Sequence, residues 1–238
     1  MTLIARPIPA SALVVDLSTK LTLTSASCLR MLAPEVAVGR YVFFGPPRPQ
    51  DLDLVELQML LKLGFIVFAI RHVPDPGWHA DGPTGRSHAQ AGVANAIKAG
   101  YVTPSGAAHP ISMTTDSEGV GNPGPAMHDY VQNSFQVAAS AVYQNVGYDG
   151  YDCGLKGVDL DGLNADSSCG GDILKWWCDF ASFSARPTPQ IGYALHQQAQ
   201  TTVCGIGVDK NTVLQDGAIW GLYDGDVNIE DTQVAAGT

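Results

Sequence analysis

Residues 53–70 read Asp53-Leu54-Val55-Glu56-Leu57-Gln58-Met59-Leu60-Leu61-Lys62-Leu63-Gly64-Phe65-Ile66-Val67-Phe68-Ala69-Ile70. Asp53, followed three residues later by Glu56, is a capping-box-like helix start, and Leu54, Leu57, Leu60 and Leu61 fall at helical spacing. Gly64 ends that helix. Phe65–Ile70 is then an unbroken apolar run, the kind of strand buried on both faces of a parallel sheet. A helix feeding such a strand is one step of an alternating β/α chain.

The same alternation extends in both directions. Upstream, Ala12–Asp16 is a first strand, Ser25–Glu35 a short helix capped by Ser25 or Ser27, and Val38–Phe44 a second strand stopped by Gly45-Pro46-Pro47. Downstream, Gly85–Ala99 is an Ala-rich helix closed by Gly100. Pro110–Thr115 leads into a strand ending at Asp116-Ser117-Glu118. Pro125 suits the first position of a long helix predicted to run through Val146 and to end at Gly147. Tyr148–Asp152 is the next strand, followed by a short helical stretch near 155–163. Ile173–Phe180, Gln190–Gln197 and Val203–Asp209 are further strands. About eight strands interleaved with helices argue for an α/β fold, a single irregular (β/α) TIM-like barrel over residues 1–226, with an open doubly wound sheet as the alternative. Residues 227–238 lose apolar periodicity and read as an extended C-terminal tail.

Composition narrows the function. A chain of 238 residues, 45% hydrophobic and 15% charged, is long enough for one domain with a large core. The formal charge of −10 argues against nucleic acid as a partner, because backbone binding needs clustered Lys and Arg. No apolar run approaches the ~20 residues of a membrane helix. The stretch Met1–Ser18 has only the short apolar run Ala12–Val15, which predicts no signal peptide. The five cysteines are scattered, and buried thiols are expected, with a Cys153–Cys169 bridge as the one alternative. No C-x-x-C spacing occurs and the histidines stand apart, so neither a metal nor a cofactor is expected.

Polar residues at strand ends are the candidates for chemistry, since a barrel of this type works at the carboxyl ends of its strands. Those ends carry Asp16, then Arg40 and Tyr41, then Asp116 and Glu118, then Asp152, then His196-Gln197-Gln198, and finally Asp209. Asp116 and Glu118 are two residues apart, so on a strand they share a face, with backbones about 6.6 Å apart. Like charges at that spacing raise the proton affinity of one partner. A protonated carboxyl beside an ionised one is what glycosidic bond cleavage requires, one to protonate the leaving oxygen and one to stabilise the cationic transition state. The competing reading is that both carboxyls cap the next helix, although six residues separate them from Pro125.

Val14-Val15-Asp16-Leu17-Ser18 resembles the opening strand of glycoside hydrolase family 25 lysozymes. Val38-Gly39-Arg40-Tyr41-Val42, and Leu63-Gly64-Phe65-Ile66-Val67 followed by the Gly85…Ala89…Ala94 helix, resemble a related glycoside-hydrolase-like family, domain of unknown function 1906. Asp116-Ser117-Glu118 is similar to the D-x-E of the lysozymes, and Gln197 with Val208-Asp209-Lys210-Asn211 to their closing strands. The resemblance spans Leu13 to Leu214. It departs where His196-Gln197-Gln198 replaces the usual aromatic beside the glutamine. The resemblance implies a barrel acting on bacterial cell-wall glycan, with Glu118 as general acid and Asp116 stabilising charge or assisting the substrate's acetamido group. Asp16 and Asp209 would orient substrate and tune the acid, with Arg40, Tyr41, Asp152 and Gln197 as further contacts.

The expectation is therefore a peptidoglycan-directed, lysozyme-like glycosidase, a phage endolysin or a wall-degrading part of a virion tail. It would act from the virion or be released from the host cytoplasm. A non-catalytic structural or glycan-binding virion protein on the same barrel, with other virion proteins as partners, is the competing class. Trp78, Trp176 and Trp177 could stack on sugar rings or simply fill the core, and His72 and His79 read as rim or core histidines. Gly85-Arg86-Ser87-His88-Ala89 lacks the strand and final glycine of a serine nucleophile elbow. The stretch 159–166 lacks the closing Glu of a calcium loop.

Overall fold

The computed structural model describes residues 1–72, 77–116, 125–149, 174–178 and 193–227. In chain order the elements are β1 (Leu3–Pro7), β2 (Leu13–Leu17), α1 (Leu23–Arg30), β3 (Val36–Phe43), α2 (Leu54–Lys62), β4 (Ile66–His72) and α3 (Gly82–Lys98). They continue with β5 (Ser112–Thr115), α4 (Pro125–Ser140), β6 (Gln144–Asp149), β7 (Leu174–Cys178), β8 (Tyr193–Val203), β9 (Ile206–Val213) and β10 (Trp220–Asp224).

All ten strands belong to one sheet. From β2 to β8 each neighbouring pair is parallel, in the order β2-β3-β4-β5-β6-β7-β8. β9 returns antiparallel to β8 and pairs antiparallel with β2, so the sheet curls back on itself into a barrel-like form. β1 and β10 form an antiparallel ribbon that pairs with β4 through Leu222 and Val67. The expected alternation of strand and helix holds for the first half, where α1 to α4 each link parallel strands. Among the described residues no helix follows β6, so the molecule is mixed α/β and strand-dominated rather than a regular barrel of eight β/α units.

Local chemistry explains the boundaries. The side chain of Asp53 accepts from the Glu56 N–H at the start of α2, as its sequence predicts. Thr22, not Ser25 or Ser27, caps α1; Ser25 is the reciprocal partner that completes the capping box. Asp81 caps α3, which starts at Gly82, three residues before the expected start, with Pro83 in its first turn. α4 opens at Pro125 as expected but ends at Ser140. There Val142 takes a left-handed φ of 62°, and Val146, expected on the helix, lies buried on β6. β1 and β10 add to the strands that the sequence predicts. The expected helix near 155–163 and the tail beyond 227 lie outside the described residues.

Strand alternation divides the core in two. Val14, Ala37, Ile66, Phe68, Ile70, Leu195 and Val213 turn to one face, and Ile8 and Ile219 pack with them. Val15, Leu17, Val36, Val38, Val67, Ala69 and Met113 turn to the other, against Leu57, Leu60 and Leu61 of α2 and Ala96 of α3. The first face is the inner one. Gly39 lies on it because any Cβ there would come within 2.7 Å of Phe68, 2.8 Å of Ile70 and 2.9 Å of the Cβ of Asp16.

Cys28 of α1 and Cys204 of the β8–β9 turn, 176 positions apart in the sequence, form a disulfide. This corrects the expectation of buried thiols with at most a Cys153–Cys169 bridge as far as Cys28 and Cys204 are concerned; Cys153 and Cys169 lie outside the described residues. Sequence spacing gave no hint, because the two sulfurs meet only when the β8–β9 hairpin folds back over α1. Its residues Val203 and Ile206 pack onto the same outer apolar layer.

Candidate functional site

The inner face turns polar toward the carboxyl ends of the parallel strands. On β2, two residues beyond Val14, Asp16 is only 2% exposed. Its Oδ2 accepts a 2.8 Å hydrogen bond from Nδ2 of Asn211, which also reaches the carbonyl of Asp209 at 3.3 Å. Asp16 and Asp209 are directly opposed in the β2–β9 pairing. On β8, Gln197 faces Asn211, and Gln200 faces Asp209. Three residue steps on β8 therefore match two on β9, a bulge that bends the hairpin where these polar side chains emerge.

Across the face, Asp116 follows β5. Its N–H donates to the carbonyl of Arg71 at 3.0 Å, carrying the β4–β5 pairing one residue further. Its Oδ2 meets Nδ1 of His72, the last residue of β4, at 3.0 Å. The His72 ring stacks on Tyr41 of β3, with centroids 4.7 Å apart and planes within 15°. Oδ1 of Asp116 is buried and has no hydrogen-bond partner among the described residues. The proton affinity of Asp209 is raised, first by burial and then by the charge of Asp116, so the two sides of the face share one field.

Of the residues expected from sequence, Asp16, Asp116, Asp209, Tyr41 and Gln197 come to this face. Arg40 does not. It points to the opposite side of the sheet, has no exposure, and forms a buried ion pair with Glu56 at 2.9 Å while donating to the carbonyls of Leu17 and Gln50. Arg71 of β4 is likewise turned outward and buried, bonded to Thr115 and to the carbonyl of Ser134; burial lowers its pKa to about 10. Both nearby arginines are thus kept off the acidic face. Glu118 and Asp152 lie outside the described residues, as do the side chains of Trp176 and Trp177. Trp78 packs on Tyr130, with centroids 4.6 Å apart.

Two further participants are His72, read from sequence only as a rim or core histidine, and Asn211, read only as part of the closing-strand resemblance. Each sits two residues beyond an inner-facing position, Ile70 and Asp209 respectively, so the period-2 rule applied past the apolar run finds them. Among the described residues no group of three or more His, Cys, Asp or Glu side chains is arranged to hold a metal ion. No helix among them is long and apolar enough to cross a membrane. A cavity of about 450 Å³ lies on the outer side, near the start of α2, rimmed by the Lys20–Asp53 and Arg48–Asp51 ion pairs.

Chemically, the face offers Asp209, whose proton affinity is raised above the ordinary aspartate value, Asp16 bonded to an amide, and Asp116 bonded to an imidazole. No protein-family model matches the chain, and no curated protein matches it. Among solved structures, the chain is similar to the Tat-secreted protein Rv2525c of Mycobacterium tuberculosis, crystallised with HEPES. The TM-score is 0.60 at 18% identity, over 89% of this chain and 98% of that one. It is also similar to an uncharacterised protein of B. stearothermophilus, with a TM-score of 0.59 at 14% identity, over 85% of this chain and 95% of that one. At these identities the likeness is one of fold, and the fold this chain shares with both is the curled α/β sheet described above.

Proposed function

We propose that this chain is a glycoside hydrolase of lysozyme type, acting on bacterial peptidoglycan from a glycoside-hydrolase-like (β/α) barrel. The observation that carries the reading is the convergence of Asp16, Asp116 and Asp209 on one inner face, with the proton affinity of Asp209 raised beside Asp116. Glu118, two residues past Asp116, gives its proton to the leaving glycosidic oxygen as the bond to the anomeric carbon breaks. The anionic field of Asp16 and Asp116 stabilises the positive charge that develops there. A water then adds to the anomeric carbon and returns a proton to Glu118, so each cleavage consumes one water and regenerates the acid.

The place of action is outside the reducing cytoplasm, either exported or carried on a virion. The Cys28–Cys204 disulfide supports this, since such bonds persist in oxidising compartments. The fold it shares with a Tat-secreted protein agrees. A zymogram against purified bacterial walls tests the reading. A clearing band for the wild type and none for Glu118→Gln supports it. A protein that binds walls but clears nothing places the chain in the non-catalytic, glycan-binding class instead.

A further inference from the structure

We infer that His72 is the positioning residue of the acidic face, holding the Asp116 carboxylate in its working orientation through Nδ1. The inference deepens the glycosidase reading and rests on it for the role of Asp116. His72 ends β4 on the inner face, in step with Phe68 and Ile70. It is held on both sides by neighbouring strands, by the stacked ring of Tyr41 on β3 and by the 3.0 Å bond to Asp116 beyond β5.

The geometry divides the two oxygens of Asp116. Oδ2 is committed to the imidazole. Oδ1 is buried and has no hydrogen-bond partner among the described residues, which is costly for a carboxylate on a residue only 5% exposed. A carboxylate free to rotate would relieve that cost by turning Oδ1 toward water or a neighbouring N–H. The Nδ1–H bond opposes that rotation, and the stack on Tyr41 keeps the imidazole from following it. The arrangement follows the logic by which a carboxylate orients a catalytic imidazole, with the roles reversed: here the ring orients the acid. The bond also requires that Nδ1 carry a hydrogen, so His72 is either the Nδ1–H tautomer or the cation.

Two variants separate the bond from the packing. His72→Phe keeps a ring against Tyr41 and loses the donor. His72→Asn places an amide Nδ2 near the position of Nδ1 and keeps the donor. In wall-lysis kinetics, His72→Phe is expected to lower kcat by about 10²-fold with little change in KM, the scale of a misplaced group in a preorganised site. His72→Asn is expected to restore most of that loss. Equal activity of His72→Phe and wild type, or equal impairment of both variants, overturns the inference. A second readout needs no activity: the Nδ1 proton of His72, shifted downfield in the NMR spectrum by its carboxylate partner, is expected to lose that shift in Asp116→Asn. An unchanged signal also overturns the inference. Wild-type protein that neither lyses nor binds walls overturns the glycosidase reading alone, because the NMR signal still decides the pair.

Discussion

Asp209 on β9 and Asp116 beyond β5 occupy one electrostatic field: burial raises the proton affinity of Asp209, and the charge of Asp116 raises it further. The folded state therefore binds a proton at Asp209 more tightly than the unfolded chain does. Below the ordinary aspartate value of 3.8 both states are protonated and the site costs nothing. As the pH rises through the raised value, the unfolded chain ionises first and stability falls. Asp209→Asn should thus raise Tm at pH 7, and the advantage over wild type should shrink toward zero as the pH approaches 3.8. Thermal unfolding of both proteins across that range checks the sign. A gain that grows on acidification contradicts the burial of Asp209 beside Asp116.

Gly39 is where the inner face can accommodate Asp16. A methyl group there meets Phe68, Ile70 and the Cβ of Asp16, all within 2.9 Å. Gly39→Ala should destabilise by about 1–3 kcal/mol, the cost of overpacking a core. It should also displace Asp16 from Asn211. Urea unfolding measures the first effect, and the amide resonances of the Asn211 side chain report the second.

Arg40 and Glu56 make a pair with no side-chain exposure, and Glu56 also accepts from the N–H of Leu21 at 2.7 Å. Glu56→Ala strands a buried guanidinium and should cost about 3–5 kcal/mol. Replacing both residues by Leu or Met should recover much of that loss. Wall binding by the double variant should match wild type, because Arg40 faces away from the acidic face. Reduced glycan binding with intact folding would restore Arg40 to the substrate contacts.

The Cys28–Cys204 bond closes a loop of most of the chain and clips the β8–β9 hairpin, which carries Gln197 and Asp209, onto α1. Cys204→Ser or reduction with a dithiol should remove ~2–4 kcal/mol, a fall in Tm on the order of 5–15 °C for a chain of this length. Differential scanning with and without the dithiol, alongside mass spectrometry of the unreduced Cys28–Cys204 peptide, checks both the bond and its worth.

The sequence made the first half of the fold legible because there each element is specified locally. The Asp53 cap, the Leu54–Leu61 periodicity and the Phe65–Ile70 run need no distant partner to be understood. Legibility failed where structure depends on long-range pairing. β1 and β10 are short, and each reads as loop until the other supplies its ladder. The return of β9 antiparallel to β2 left no local trace, and the disulfide depends on that return. Within the site, carboxylates at strand ends stood out because acids are rare in apolar strands. Arg40 stood out for the same reason, yet as the neighbour of the inner-facing Tyr41 it turns to the other side of the sheet, where its partner Glu56 lies on a helix packed behind it. His72 reads as a rim or core histidine because a lone histidine at a strand end carries no chemistry until Asp116 and Tyr41 are beside it.

The most direct test of the central claim is the release of new reducing ends from purified peptidoglycan, followed by mass analysis of the fragments. Wild type should generate glycan fragments cut at one type of glycosidic bond. Glu118→Gln should fall by about 10²–10⁴-fold, the usual loss on removing a general acid, while remaining folded and wall-binding. Wild-type protein that releases no reducing ends, or Glu118→Gln that releases them at the wild-type rate, contradicts the account.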